Sequence, residues 1–562
     1  MGVSGAHTRS RLILLGSVLL LAVYVGHCLA VNYISDDGFI SFRYVRNWVR
    51  GDGIVYNPGE RVEGYAGFTW IAMLAGLRLL LPGVELLRIA QVLGILFGAL
   101  TILLMVQFSW KVHDGPRPLI LVGPAFLAVH GSFVAWSTAG LETPLFVFLL
   151  FAAACSYAQF LRTDRGLFAS ALLFALAAMT RPDGGLLWFV TTLHLLIFEW
   201  RRTGQLISKR VLLWGLAFSG VYGTYFIWRY SYYGYLLPNT AYAKVGAGIH
   251  QFYRGARYLK NYLVGYGLLV FLPPFVLLLR RKREAWRDYF ALLVAVHWIY
   301  IIYVGGDGLS FFRFVTFTAP LLYLLVQEGF AALFEWVSKA RWLGAWGFRA
   351  VAAAILLVSL AYTARQTFKP VLFPASVRWY EPQSELHFPG LGTDHSYKWF
   401  DNYFVDRLAT AAHWLERNAP PNSVVASTPA GAIGYYTNLR VIDMLGLNDI
   451  HIAHSQDTLG GAAGLGRAGH EKGDGRYVLS RSPEFILMGN VAVLPFPLDE
   501  TRMEGKLVLK SEHEIWNEPS FHRDYEFVCV RLADSGVFQY FSFYKKKGLA
   551  LPAADAAPCH AP

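Results

Sequence analysis

The chain has 562 residues, of which 55% are hydrophobic, 16% aromatic and only 16% charged. A soluble protein of that length needs far more charge to cover its surface, so a purely soluble fold is excluded. The net charge of +12 would suit a nucleic-acid binder. Outside the C-terminal part, however, most basic residues lie in short loops between apolar runs, where they act as topology signals and lipid-phosphate contacts, and a nucleic-acid role is set aside.

Arg9 and Arg11 precede the apolar run 12–31, which is long, lacks a small-residue cleavage site and leads into Asp36 and Asp37. It reads as an uncleaved anchor and not as a signal peptide. Further spans are predicted at 86–109, 118–137, 143–161, 167–179, 185–199, 211–228, 263–279, 289–303, 314–335 and 350–364, about eleven with the first. Segment 67–83 is apolar but short, carries Arg78 and ends at Pro82 and Gly83, so it is predicted to lie at the surface. Sixteen Lys and Arg then fall in loops on one side and seven on the other. Basic residues accumulate on the cytoplasmic side, which puts the N-terminus inside and the C-terminal domain outside. The fold class is a polytopic α-helical membrane protein: residues 1–364 with a first outer loop at 32–85, a C-terminal extracytoplasmic α/β domain at 365–548, and a disordered tail at 549–562.

The outward loops carry the unusual polar motifs. Charged groups at membrane depth are costly, so their presence on one face marks a candidate site. Asp36 and Asp37 start a helix whose Phe39, Phe42, Val45, Trp48 and Val49 share one side, with Arg43, Arg46 and Arg50 on the other; it is predicted to lie beside lipid phosphates, with Arg43 among the phosphate-binding candidates. The acids themselves are either a helix cap or catalytic groups. Glu142, in GLETP, either begins a helix ahead of Pro144 or supports an acceptor or a divalent ion. In TRPDG, Arg181 and Asp183 form either a turn with a surface ion pair or a phosphate-binding and substrate-binding pair. Lys244 and Arg313 are rival phosphate ligands, with Asp307 beside Arg313 as a substrate contact. In the stretch 232–244, Asn239, Tyr242 and the neighbouring tyrosines are an interfacial aromatic belt or a sugar platform.

SDDGFISFRYVRNWVRGDGIVYNPGERVEGYAGFTW at 35–70, followed by AGLETPLF and TRPDG, resembles the AftB family of mycobacterial terminal arabinofuranosyltransferases and related bacterial membrane glycosyltransferases of the GT-C superfamily. The resemblance covers most of 30–190 and thins beyond. It implies a GT-C fold, a polyprenyl-phosphate sugar donor and a catalytic aspartate at the start of the first outer loop. Carried over, it puts catalysis on Asp36 and Asp37, with Asp36 ranked first, and an acidic supporting role on Glu142; Arg61 and Glu63 shape the same loop.

The expected reaction moves a sugar from a polyprenyl-phosphate donor onto a cell-envelope glycan acceptor at the outer face of the bacterial cytoplasmic (inner) membrane. Asp36 takes the acceptor proton while Arg181, helped by Lys244 or Arg313, stabilises the departing phosphate. The sugar stays open between arabinofuranose, another pentose and a hexose. A divalent cation, Mg or Mn, is an option for Asp37 and Glu142, although no ligand spacing demands one. A flippase or transporter of the lipid-linked sugar is the alternative, but no internal repeat is visible.

In the C-terminal domain a helix is predicted at 406–420 and strands at 423–428, 438–445, 484–488, 506–510, 525–532 and 537–545. The loop 460–476 lacks the ending of a phosphate-binding loop, and reads as a connector or as a lid in which His470 touches the acceptor. Cys28 and Cys155 lie in apolar runs. Cys529 and Cys559 have the option of pairing outside the cell, and no metal-binding cysteine spacing exists.

Overall fold

The computed structural model describes residues 3–551 except 114, 116, 245–247, 267, 273, 276, 278–283, 339–344, 369–396, 456–467, 490–492, 495 and 533–538. Cys559, most of the predicted tail and part of the predicted 460–476 loop therefore lie outside the described residues. The chain divides into two compact units. The first holds Met1–Asn32, Ala90–Trp228 and Gly255–Arg378; the second holds Tyr33–Ile89, Arg229–Arg254 and Trp379–Pro562.

The first unit is helical. Among the described residues five helices are long and apolar enough to cross a membrane: Ser10–Val31, Leu86–Val112, Thr143–Thr163, Lys209–Tyr233 and Ala285–Val304. A sixth is the pair Leu119–Val129 and Gly131–Thr138, bent by 57°. Several of these helices leave large apolar side chains outside: Leu15 is 65% exposed, Val92 67% and Ile299 65%. Such faces are unfavourable in water and neutral in lipid, and the chain is a multi-pass membrane protein. The bend falls at His130, whose backbone is extended and whose ring accepts from the Phe133 N–H. The run predicted as one helix at 263–279 is divided between Ile249–Gly265 and Leu268–Phe271.

Packing in this unit uses small residues where helices meet. A Cβ on Gly94 would lie 2.2 Å from the Ser137 carbonyl oxygen, and one on Gly98 would lie 1.8 Å from the Tyr24 hydroxyl. The two glycines are one turn apart, and their bare backbone lets Tyr24 reach Ser137 with a 2.7 Å hydrogen bond.

The second unit begins with the helix Asp36–Arg50. Two acids in its first turn, Arg50 in its last and a left-handed Gly51 beyond its end fix its limits. Phe68–Leu80, at 13 residues, reaches only about 20 Å, short of a bilayer core of about 30 Å.

The C-terminal part of this unit is a mixed sheet. Its strands are β1 (Val424–Ser427), β2 (Arg440–Asp443), β3 (Phe485–Leu487), β4 (Val493–Leu494), β5 (Tyr525–Arg531) and β6 (Tyr540–Lys546), in the order β2-β1-β3-β6-β4 with β5 paired to β6. The strands β2, β1 and β3 run parallel, with Val425 opposite Val441 and Phe485. β6 runs antiparallel to β3, β4 and β5. Alternation along β6 serves both faces: Phe541 and Phe543 pack on Trp414 of the helix Tyr397–Asn418, while Tyr544 joins a core with Ile442, Ile486, Ile515 and Phe521. The strand predicted at 506–510 is instead a turn leading into the helix Lys510–Asn517. The buried Glu512 carboxylate accepts from the N–H groups of Gly489, Val508 and Leu509, and this cap outweighs a short alternating pattern.

Candidate functional site

Asp36 opens its helix as its first residue, and both its oxygens are held by the main chain just beyond β1. Oδ1 accepts from the Ala432 N–H at 2.7 Å and Oδ2 from the Gly431 N–H at 3.1 Å. The side chain keeps part of its surface open although protein crowds round it. Burial pushes its pKa up to about 7, against the two N–H bonds, with Asp37 and Asp443 adding to the rise. Asp37 is half-buried. Asp443, at the end of β2, is buried and bonded by the N–H groups of Leu445 and Asn448 and by the Asn448 amide. Burial pushes it up to about 6. Asp443 carries no motif in the sequence beyond a lone acid closing the short apolar run RVID.

The arginines expected against lipid phosphates have other partners. Arg43 is 1% exposed and donates to the carbonyls of Tyr56 (2.6 Å), Gly434 (2.6 Å) and Leu439 (2.9 Å) and to Asn57 Oδ1 (3.0 Å). Arg46 donates to the Tyr435 carbonyl and Arg50 to Asn438. A guanidinium with every edge used inside the protein has nothing left for a phosphate, so Arg43 acts as a clamp between the first loop and the sheet domain. Tyr56 and Asn57 extend the clamp: the Tyr56 hydroxyl donates to the Ala430 carbonyl at 2.5 Å, and Asn57 both donates to and accepts from the Val441 backbone.

Glu63 of the GERVE motif is paired with Arg229, Nε to Oε1 at 2.9 Å and Nη2 to Oε2 at 2.6 Å, with both side chains buried. Burial pushes Glu63 up to about 7 despite that partner. Removing one side of a buried pair costs about 3–5 kcal/mol. Arg229→Met is therefore expected to lower the melting temperature measurably above pH 7, and less at acid pH, where Glu63 takes up a proton; an unchanged melting curve at both would contradict the pairing.

Asn239 donates through Nδ2 to the carbonyls of Gly446 (2.8 Å), Leu447 (3.1 Å) and Asp449 (3.2 Å), so its amide shapes a turn. Tyr242 stacks on His454, with ring centres 4.2 Å apart. Lys244 is half-buried, and its methylene stem crosses Gly469, where an added Cβ would lie 3.2 Å from it. His470 follows directly and its Nδ1 contacts the Ala468 carbonyl at 3.0 Å.

In the first unit Glu142, Arg181 and Asp183 come together. Arg181 donates through Nη1 to Glu142 at 2.6 Å and through Nε to Asp183 at 2.8 Å, all three being buried. The guanidinium lies over Phe317 at 4.7 Å and near Phe314 and Phe146. Tyr300, on a helix predicted as a plain span, hydrogen-bonds Asp183, and His297 lies beside it. Two carboxylates on one guanidinium leave the cluster negative, which disfavours a phosphate there. Arg313 forms a two-pronged pair with Asp307, 2.7 and 3.1 Å, and lies over Trp136 at 5.3 Å. Just before it, Phe311 and Phe312 have φ of 58° and 45°, a left-handed geometry that bulky residues adopt only when packing holds them. Among the described residues no three His, Cys, Asp or Glu side chains converge as a metal ligand set.

Residues 399–545 match a domain family described only as a domain of unknown function, DUF8728. The chain is 32% identical over 271 residues to a terminal beta-(1->2)-arabinofuranosyltransferase of Mycobacterium tuberculosis, covering 45% of this chain and 42% of that protein. It is 28% identical over 324 residues to the protein of the same name from Corynebacterium glutamicum, covering 49% and 45%. The matches thus span less than half the length of either relative, and they bear out the resemblance read from the motifs. A crystal structure of ArnT from Cupriavidus metallidurans bound to undecaprenyl phosphate superposes with a TM-score of 0.53 at 10% identity, covering 97% of this chain and 99% of that one. The chain therefore has the fold of ArnT.

Proposed function

We propose that the protein is a membrane glycosyltransferase that moves a sugar, arabinofuranose first among the candidates, from a polyprenyl-phosphate donor to a hydroxyl of a cell-envelope glycan. The reading rests on the motif resemblance and the names of the relatives, with the bound lipid phosphate of the ArnT structure as a guide to donor class. Nothing favours the flippase alternative. The chain would sit in the bacterial inner membrane with about eleven spans, its N-terminus cytoplasmic and its C-terminal domain outside.

The observation that carries the chemistry is Asp36, a half-buried carboxylate raised to about 7 and held at both oxygens by main-chain N–H groups. A base is most useful when its pKa lies near working pH. Asp36 would accept the proton of the acceptor hydroxyl as that oxygen bonds to the anomeric carbon and the carbon–phosphate-oxygen bond breaks, releasing polyprenyl phosphate. The positive charge that develops on the sugar ring would be offset by the carboxylate of Asp37, next to Asp36 on the helix. Arg181 and Arg313 have their forks filled by carboxylates; Lys244, whose ammonium acts as a point charge toward phosphate, is assigned to the leaving phosphate.

Purified protein in detergent, given a short-chain polyprenyl-phosphate arabinofuranose and an arabinofuranoside acceptor, is expected to release polyprenyl phosphate only when acceptor is present. Because Asp36 works ionised, kcat/KM should rise with pH through about 7 and level off above it. No acceptor-dependent release from pentose or hexose donors would overturn the reading.

A further inference from the structure

The parallel strands β2, β1 and β3 create a point at which the chain leaves β1 toward one neighbour and returns on its other side. Open α/β sheets bind their ligands in the crevice at the carboxyl ends of the strands at such a point. Here the residues just past β1 hold a side chain of the same protein. The N–H groups of Gly431 and Ala432 point at the two oxygens of Asp36, which comes from a segment almost 400 residues earlier, at a sequence separation of 395 and 396.

We infer that the C-terminal sheet domain is a positioning device for the catalytic carboxylate, with Gly431 and Ala432 as the positioning residues. The inference rests on the glycosyltransferase reading above. Three features of the turn support it. A Cβ on Gly431 would fall 2.0 Å from the Asp36 carbonyl oxygen and 2.5 Å from both its Cγ and Oδ1, so only glycine allows this approach. Gly431 has φ −74° and ψ −89°, so its φ is one that any residue adopts and the requirement is contact, not a left-handed backbone. Finally, the same turn is fixed from below by the Tyr56 hydroxyl on Ala430 and by Arg43 on Gly434, so the N–H groups and the helix that carries Asp36 are locked to each other by independent bonds.

The chemical effect is twofold. Two N–H donors favour the ionised carboxylate and so moderate the rise that burial imposes. They also fix the direction in which the remaining lone pairs face an acceptor. The other groups that bear on Asp36 electrostatically are Asp37, next to it on the helix, Tyr56 in the loop that follows the helix, and Asp443 at the end of β2. None of the three is a cation, so the two N–H groups are the principal favourable contacts of the charged form.

The test uses two variants of the full-length protein. Gly431→Ala intrudes on Asp36, and Ala432→Pro deletes the shorter hydrogen bond at a first helical position, where proline is tolerated. Each is expected to lower kcat by about 10- to 100-fold, the scale of a displacement near 1 Å, with KM for the polyprenyl-phosphate donor within about twofold of the parent. In Ala432→Pro the acid limb of kcat/KM should move up by about one pH unit, because a bond to the charged form is gone. A domain that merely stabilises the fold would lower yield or melting temperature and leave the limb in place. If Gly431→Ala does not accumulate as folded protein, Ala432→Pro decides. Folded variants with parental kcat and an unmoved limb, set beside an inactive Asp36→Asn, overturn the positioning role alone; an active Asp36→Asn overturns the reading beneath it.

Discussion

Asp36→Asn is expected to fold, insert and bind the lipid donor as the parent does, and to lose about 100- to 10,000-fold in turnover. General-base assistance is worth about 100- to 10,000-fold, and the amide accepts no proton at any accessible pH. The substitution keeps shape and one acceptor oxygen but turns an NH2 toward one of the two N–H groups that now donate to the carboxylate, so a small change in melting temperature accompanies the loss. Asp37→Asn, whose carboxylate is adjacent on the same helix, should cost less. Single-turnover release of polyprenyl phosphate from both variants distinguishes them, and the reverse order of severity would move the base from Asp36 to Asp37.

Arg181→Ala should have the largest effect on the protein itself. Breaking a buried pair by removing one partner costs about 3–5 kcal/mol, and Arg181 is the partner of two buried carboxylates, Glu142 and Asp183. The variant is expected not to accumulate as folded protein. Arg181→Lys keeps the charge but cannot hold two acids at once in a planar fork or lie flat over Phe317, so partial folding with a lowered melting temperature is expected. The triple change of Arg181, Glu142 and Asp183 to Met, Gln and Asn removes all three charges and should recover folded protein. Size-exclusion profiles in detergent report all three, and normal accumulation of Arg181→Ala would show that the cluster does not hold the unit together.

The motifs SDDG, GLETP and TRPDG were legible because acids and arginines stand out in an apolar chain, and their positions match the ends of helices in the structure. Their partners were not. Arg43 was read as lipid-facing from its helical spacing, and three of its four acceptors are main-chain carbonyls, which every residue carries and no sequence pattern advertises. Asn239 was singled out as a sugar contact, but the turn it holds was not legible for the same reason, since its amide donates to three carbonyls 207, 208 and 210 positions away. The parallel strands at 424–427, 440–443 and 485–487 were recognised from short β-branched and apolar runs. The helix at 510–517 was missed because its deciding interaction, Glu512 with three N–H groups, reaches outside the local alternation. Gly431 carried one weak hint, a glycine just past a buried strand; which side chain would need the room could not be read from the sequence.

The clamp on Arg43 has a consequence for how the polypeptide is made. Its acceptors at Gly434 and Leu439 leave the ribosome 391 and 396 residues after it does, an interval of roughly 20–80 s at ordinary elongation speeds. Throughout that time the first loop stands without the surface that completes it, holding Arg43, Arg46, Arg50 and Asp36 with partners still unsynthesised. Chains released before residue 430 should therefore be substrates for quality-control proteases rather than partly active enzymes, with the first loop as the vulnerable stretch.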